Sequence, residues 1–506
     1  MNYLRQSLFG LVVVGFLCAI GMSVLIRSHI DTINGGRVAV VDSTPFETEA
    51  VLTAIQNVNV LSPAGDAFLD DRTVVISDGR ILTINEDDAA PDGARVIDGR
   101  GRFLIPGLID ANVDLRRQPN DLLLYLANGV THVRDLSGRA QDLALKQELE
   151  DNRVGPSLTV ASPKLHSAGF IEGGWIAMTR PAVNVRSSDR ASGVVEELAK
   201  AGYDAISVDS AVEIDTFKAI IAAAEAVGLS TIGHLPDRFD LAELSSMTLT
   251  ELARIENLIE RLLDEFSLQN DGGGHAAFLD FVQQRAPQIA DDLLTSGTAV
   301  SSSLWLMDTL ARQAGDLVSA LRNLPLEYAN PAMVEGSPYA GVGWLPGMNR
   351  FELPRDLDAE RRDSTIAIWQ TRNQAQKIVL RELAARGVPI TASSNATAEL
   401  MIPGFSLHDE LRILHQSGLS PAQTLHTATR VPAGLMGLRS GVIEADRPAD
   451  LVLLRDNPLI DITNTRSIDA VIRDGQTYKR ADLDAMLEAV RQAHAKSRKF
   501  ELSRYQ

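Results

Sequence analysis

Histidine is the side chain to follow first in this sequence, because a neutral imidazole can ligate a metal or move a proton near neutral pH. Nine are present. His234, within Gly233-His234-Leu235-Pro236, sits at the end of a β-type run, a position from which a side chain can do chemistry. His166 lies in a loop-like stretch after another such run. His132 opens a run and reads as structural, and His408 reads as a helix-packing or capping residue. His415 and His426 read as helix-surface positions, while His275 follows Gly272-Gly273-Gly274 in a flexible loop. A nucleophilic hydrolase would use Ser207 or Ser394 with His234 as base. No Gly-x-Ser-x-Gly elbow surrounds either serine, and a serine without a positioned base and oxyanion hole is weakly nucleophilic. The one cysteine, Cys18, excludes an intrachain disulfide.

The elements that must position these residues repeat. Short apolar runs at Phe103–Ile109, Thr131–Asp135, Ser157–Ala161, Ala205–Val208, Thr231–Leu235, Leu252–Ile255, Ala299–Leu304 and Pro389–Ala392 give eight candidate strands. Helical stretches such as Ser210–Val227 and Arg372–Arg386 separate several of them, which predicts an α/β fold, a (β/α)8 TIM-like barrel with active-site residues at the strand C-termini. Turn-rich β-type sequence from Val51 to Arg102, and again at Ala449–Leu454 and Ile468–Ile472, predicts a small β-sandwich domain built from both flanks. The expected order is a targeting segment over 1–26, a linker over 27–50, β-domain over 51–102, barrel over 103–435, β-domain again over 436–480, and a charged C-terminal helix over 481–506, packed on the barrel exterior. Leu8–Ile26 carries no charge, and as a helix it would measure about 28 Å, enough to span a bilayer core. A signal anchor with the main domain outside the cytoplasm is expected, and a cleaved signal peptide ending near Ala19-Ile20-Gly21, giving an exported periplasmic protein, is the rival reading.

Several stretches resemble the amidohydrolase superfamily, closest to its imidazolonepropionase and prolidase-like branch. They are Phe103-Leu104-Ile105-Pro106-Gly107-Leu108-Ile109-Asp110-Ala111, Asn128-Gly129-Val130-Thr131, Gly233-His234-Leu235-Pro236, Ile402-Pro403-Gly404-Phe405-Ser406-Leu407-His408-Asp409-Glu410-Leu411, and Ala449-Asp450-Leu451-Val452-Leu453-Leu454. The resemblance runs from about Val51 to Tyr478. It implies a divalent-metal site made from a His-x-His on strand one, a carboxylated Lys on strand four, His on strands five and six, and Asp on strand eight. The metal would lower the pKa of a bound water, and the Asp would take its proton. At the matching positions this chain has Asn112 and Asp114, Ser207, His234, Asn257 and Asn395. Only Asp114 and His234 keep good zinc-binding chemistry, one short of the usual three protein ligands, and an asparagine amide accepts no proton from water.

Two functions follow from that count. One is a metal-free, catalytically inactive homologue, a pseudoenzyme that requires no cofactor and binds a small molecule or a protein, with Asn112, Asp114, His166, Ser207, His234, Asn257 and Asn395 lining either an accessible pocket or a sealed polar plug. The other is a hydrolase of amide or other carbon–nitrogen bonds with a rebuilt site of Asp114, His234 and His166. A net charge of −18 argues against nucleic acid as a partner. Membrane contact through the N-terminal helix is expected, and a homo-oligomer is compatible with the sequence.

Overall fold

The computed structural model describes the backbone of residues 2–36, 38–86, 89–116, 118–151, 153–269, 273–338, 341–396 and 398–505. Side chains of 2–12, 15, 16, 18, 19, 36, 170, 171 and 177–179 lie outside that description, so the expected membrane-directed run Leu8–Ile26 is described only in part.

Eight strands form one mixed sheet: β1 (Thr53–Leu61), β2 (Phe68–Ser77), β3 (Arg80–Asn85), β4 (Arg95–Asp98) and β5 (Phe103–Pro106), joined by three from the far end of the chain. The antiparallel register Leu451↔Pro106 through Leu454↔Phe103 welds the two flanks together. Alternation along these strands puts Ile55, Val74, Ile76, Leu104, Leu451 and Leu453 into one apolar cluster.

The run Phe103–Ile109 is two strands rather than one. It breaks at Gly107, where β5 leaves the mixed sheet and β6 (Leu108–Val113) enters a parallel one. A Cβ at Gly107 would stand 2.0 Å from Oγ1 of Thr131, so only glycine permits this close crossing. Parallel pairing then links β6 to β7 (Val130–Asp135) and β8 (Ser157–Val160). A second parallel ladder takes in β9 (Lys164–His166), β10 (Ala182–Asn184), β11 (Ala205–Val208), β12 (Ser230–Gly233), β13 (Glu251–Leu252), β14 (Ala299–Ser301) and β15 (Ile390–Thr391). Parallel bridges Ala161↔Ala205 and Val113↔Ala396 connect the two ladders at both ends. Every residue of β7 and β11 is buried, as expected where helices cover a parallel sheet. The helices Ile214–Ala226 and Ala359–Arg386 lie between consecutive strands. β16 (Leu451–Leu454), β17 (Ile468–Arg473) and β18 (Gln476–Lys479) complete the mixed sheet.

Three expectations need revision. Residues 27–50 are not a free tether, because the helix Asn2–Asp31 runs into a short turn whose Ile33 is 3% exposed. Nδ2 of Asn330 donates to the carbonyl of Ile33 at 3.2 Å, and the Val41 amide donates to Oδ1 of Asn120 at 2.9 Å. His275 opens the helix His275–Ser296 and hydrogen-bonds Thr371 at 2.9 Å, so it belongs to a packed element rather than a flexible loop. His166 lies on β9, buried, and not in a surface loop. Among the described residues no helix is long and apolar enough to cross a membrane.

Candidate functional site

The C-terminal ends of the parallel strands bring most of the expected residues into two hydrogen-bonded groups. In the first, Asn112 at the end of β6 donates from Nδ2 to Oδ1 of Asn395 at 3.2 Å. Asn395 follows β15 with φ +50, a left-handed conformation that asparagine adopts more readily than most residues. Its Nδ2 donates to Ser303 Oγ, which meets Ser393 Oγ at 2.9 Å, and Ser393 meets Ser301 Oγ at 2.7 Å. Nε of Arg254, just past β13, also donates to Asn395 Oδ1, at 3.1 Å. The amide oxygen therefore serves two donors, and one of them carries a full positive charge.

In the second group, His234 is delivered by β12, where Gly233 lets the backbone pass within 3.0 Å of the Val208 carbonyl measured from a notional Cβ. Nδ1 of His234 meets Oδ1 of Asn257 at 2.9 Å, and Nδ2 of Asn257 donates to Glu260 at 3.3 Å. With Nδ2 of Asn257 turned to Glu260, its oxygen faces the ring, and since an amide oxygen only accepts, His234 carries its proton on Nδ1. Burial, with the charges of Lys164 and Arg254, lowers the His234 pKa to about 3. The ring is neutral at physiological pH, with Nε2 as an acceptor. Lys164, on β9, is half-buried, and burial together with Arg254 brings its pKa down to about 8. Its ammonium makes no hydrogen bond or ion pair among the described residues. Burial opposes the Asp209 carboxylate, yet Arg180 at 3.1 Å and Lys164 hold its pKa below the ordinary value.

The remaining three expected residues stand apart. Asp114 is paired with Nε of Arg116 at 2.8 Å. Ser207 donates from Oγ to the carbonyl of Leu136 at 2.9 Å, and His166 accepts the Ala168 amide on Nδ1 at 3.2 Å. Burial lowers the pKa of His166, outweighing Asp209. Among the described residues no group of three or more His, Cys, Asp or Glu side chains could hold a metal ion, so Asp114, His166 and His234 do not form the rebuilt site. The donor set present does not fit a catalytic dication, which would face the guanidinium of Arg254 and the ammonium of Lys164 with neutral amides as ligands. Nor is Ser394 a poised nucleophile: its amide and Oγ both donate to Asp110, the former at 2.9 Å. Burial raises the Asp110 pKa to about 6 against that hydrogen bonding.

Sequence reasoning missed Lys164, Arg254 and Asp110. A signal existed for two of them. Asp110 lies inside the first-strand motif, and Arg254 interrupts the apolar run Leu252–Ile255 at a strand end. Lys164 carried none, because β9 is too short to stand out.

Comparison with known proteins follows the same lines. The amidohydrolase family model matches residues 125–478. An adenine deaminase of Rhizobium johnstonii is 34% identical over 151 residues, a match covering 26% of this chain and 25% of that enzyme. The chain thus spans about a quarter of the length of that relative. The bottromycin amidohydrolase structure aligns at 21% identity with a TM-score of 0.64, covering 91% of this chain and 96% of that one. A putative prolidase from Bifidobacterium longum aligns at 18% identity with a TM-score of 0.58, covering 88% and 100%. At those identities the two structures speak for the fold alone. The family match covers more than half of the sequence and takes in the parallel strands from β7 to β15, so the chain belongs to the amidohydrolase family.

Proposed function

We propose that this chain is a non-hydrolytic amidohydrolase homologue, in which the parallel strands close into a (β/α)8 barrel whose mouth binds a small molecule or a partner. The bridges Ala161↔Ala205 and Val113↔Ala396 support closure, since they join the two parallel ladders into one circuit. The observation that carries the functional reading is the guanidinium of Arg254, 3.1 Å from Oδ1 of Asn395. By resemblance, Asn395 stands at the position of the general base of hydrolytic relatives. A fixed side-chain cation there does the electrostatic work of holding the polar cluster together, and it repels the ion that hydrolysis needs.

The neutral His234 and the half-buried ammonium of Lys164, which makes no hydrogen bond among the described residues, favour a mouth that receives a ligand over a sealed plug. Relatives named as deaminases and hydrolases define the competing activity. The test is to supply the purified protein with Zn²⁺, Mn²⁺ or Fe²⁺ and follow release of free amine from dipeptides and N-acyl amino acids. No turnover above the protein-free control is expected. Metal-dependent turnover that His234→Ala abolishes would overturn the reading.

We also propose that the N-terminal helix directs the chain to a membrane or out of the cytoplasm. Val14, Leu17 and Val24 are 58%, 60% and 63% exposed, apolar surface that water does not favour. Cell fractionation tests this: recovery of the intact chain in the cytosol, with its first residues retained, contradicts it.

A further inference from the structure

Leu165 on β9 pairs with Val208 on β11, Val208 with Gly233 on β12, and Gly233 with Leu252 on β13. Leu165, Val208 and Leu252 all belong to the large apolar core. Side chains alternate along a strand, so Lys164 turns to the opposite, inner face of this ladder, the face that carries Asp209 and His234. An amine is costly to desolvate there unless something pairs with it. The carboxylates within reach of its field are already engaged. Asp209 meets Arg180 through Oδ2 at 3.1 Å and accepts the Ala211 amide on Oδ1 at 3.2 Å, while Asp114 holds Nε of Arg116 at 2.8 Å. Nζ of Lys164 makes no hydrogen bond or ion pair among the described residues. Burial and Arg254 bring its pKa down to about 8, with Asp209 and Asp114 opposing from beyond hydrogen-bond reach. At pH 7 roughly a tenth of such an amine is free base, against roughly one part in 2,500 of a lysine at its usual pKa.

From this cluster we infer that Lys164 is a covalent binding site for a small aldehyde or ketone, held as an imine at the strand ends. The inference rests on the reading of the mouth as a metal-free binding site and names its ligand class. A lysine that is desolvated and stands near a second cation is activated to attack a carbonyl carbon. The step needs no cofactor. The nitrogen lone pair forms a C–N bond, the carbonyl oxygen leaves as water with the two amine hydrogens, and C=N closes. Charge develops on that oxygen as the C–N bond forms, and the guanidinium of Arg254 is the cation at hand to receive it. Neutral His234, near enough for the Lys164 charge to depress its pKa, supplies the acceptor that takes a proton from nitrogen and returns it to the departing oxygen.

Propanal is the probe. The full-length protein is mixed with it at pH 7 in the presence of sodium cyanoborohydride, which reduces an imine to a stable secondary amine, and peptide mapping by mass spectrometry follows N-propylation lysine by lysine. Lys164 should be modified at least roughly tenfold faster than Lys200, whose side chain is 77% exposed, because far more of it is free base at this pH. Its rate should also saturate with propanal concentration, as it must if a bound complex precedes the bond. Lys164→Arg keeps the charge and should lose the modification at that position. Arg254→Met leaves the amine in place and should slow it at least roughly threefold, since a charge that favours the free base and receives the developing alkoxide is gone. Modification of Lys164 no faster than that of Lys200, a rate that stays linear in propanal, or an undiminished rate in a normally folded Arg254→Met variant each overturns the inference. Propanal contains no bond for the family's hydrolysis, so its failure to react leaves the non-hydrolytic reading to the turnover assay.

Discussion

Arg134 and Arg254 are both guanidinium groups set among parallel strands, and their surroundings differ sharply. Arg134 is 2% exposed, donates from Nε to the Ala111 carbonyl at 2.8 Å, and pairs with the fully buried Glu251 at 2.7 Å. Glu251 in turn accepts the hydroxyl of Thr391 at 2.6 Å. Arg254 is 31% exposed in its side chain, donates to a neutral amide, and has the carboxylate of Glu256 only at 3.8 Å. Inside the strands every charge must be cancelled, since an unpaired buried ion costs several kcal/mol. At the strand ends Arg254 stands beside an amide instead, which is an arrangement for receiving something negative.

That contrast can be broken most forcefully in the interior. Glu251→Gln strips the counter-charge from Arg134 and should cost about 3–5 kcal/mol of unfolding free energy, read from urea denaturation. A loss below about 1 kcal/mol would show that the interior pair is not what locks β7 to β13.

Acid dependence sharpens the comparison next. Burial raises the Asp110 pKa to about 6 from 3.8 and that of Glu410 to about 7 from 4.5, so both groups hold protons longer in the folded chain than in the unfolded one. Their contribution to stability is fully present below pH about 4 and is lost as pH rises towards 7. Asp110→Asn should flatten the part of this slope between about pH 4 and 6, up to about 3 kcal/mol, in urea midpoints taken across that range. An unchanged slope would place the titration elsewhere.

Two histidines provide a smaller contrast. His408 is buried with both ring nitrogens bonded at 2.9 Å, to Thr465 and to the carbonyl of Asn128, so His408→Ala should cost about 2–3 kcal/mol. His234→Ala, at a half-buried ring with one bonded nitrogen, should cost under about 1 kcal/mol. Equal losses would make His234 a packing residue. The smallest expected effect is at Arg254, where Arg254→Met should change stability little but raise the His234 pKa, because one of the charges that depress it is gone. The imidazole resonances in a pH titration report this directly, and an unmoved pKa contradicts the electrostatic reading of the mouth.

Much of the scaffold was legible because strands in a parallel sheet are continuous apolar runs, as at Ala205–Val208 and Thr231–Leu235. Asn112, His234 and Asn395 could be placed at strand ends for the same reason, whereas Asn257, expected on the sixth strand, stands in the first turn of the helix Glu256–Gln269. The pairing of Asn112 with Asn395 across 283 positions could not be read, nor could the approach of Lys164 to His234, since both depend on how the strands meet in space. The docking of residues 29–41 was hidden by their mixed polarity, because isolated contacts such as Ile33 leave no periodic pattern. β9 and β10 escaped because three residues are too few for alternation to show.

The central claim is that the amide-and-cation cluster around Asn395 has replaced a metal centre. Elemental analysis of protein purified without chelators, alongside an Asn395→Asp/Arg254→Met double variant, tests it most directly. The account predicts far less than one equivalent of zinc, iron or manganese per native chain, with any gain confined to the double variant. One tightly held transition-metal ion per native chain, lost in His234→Ala, would contradict it.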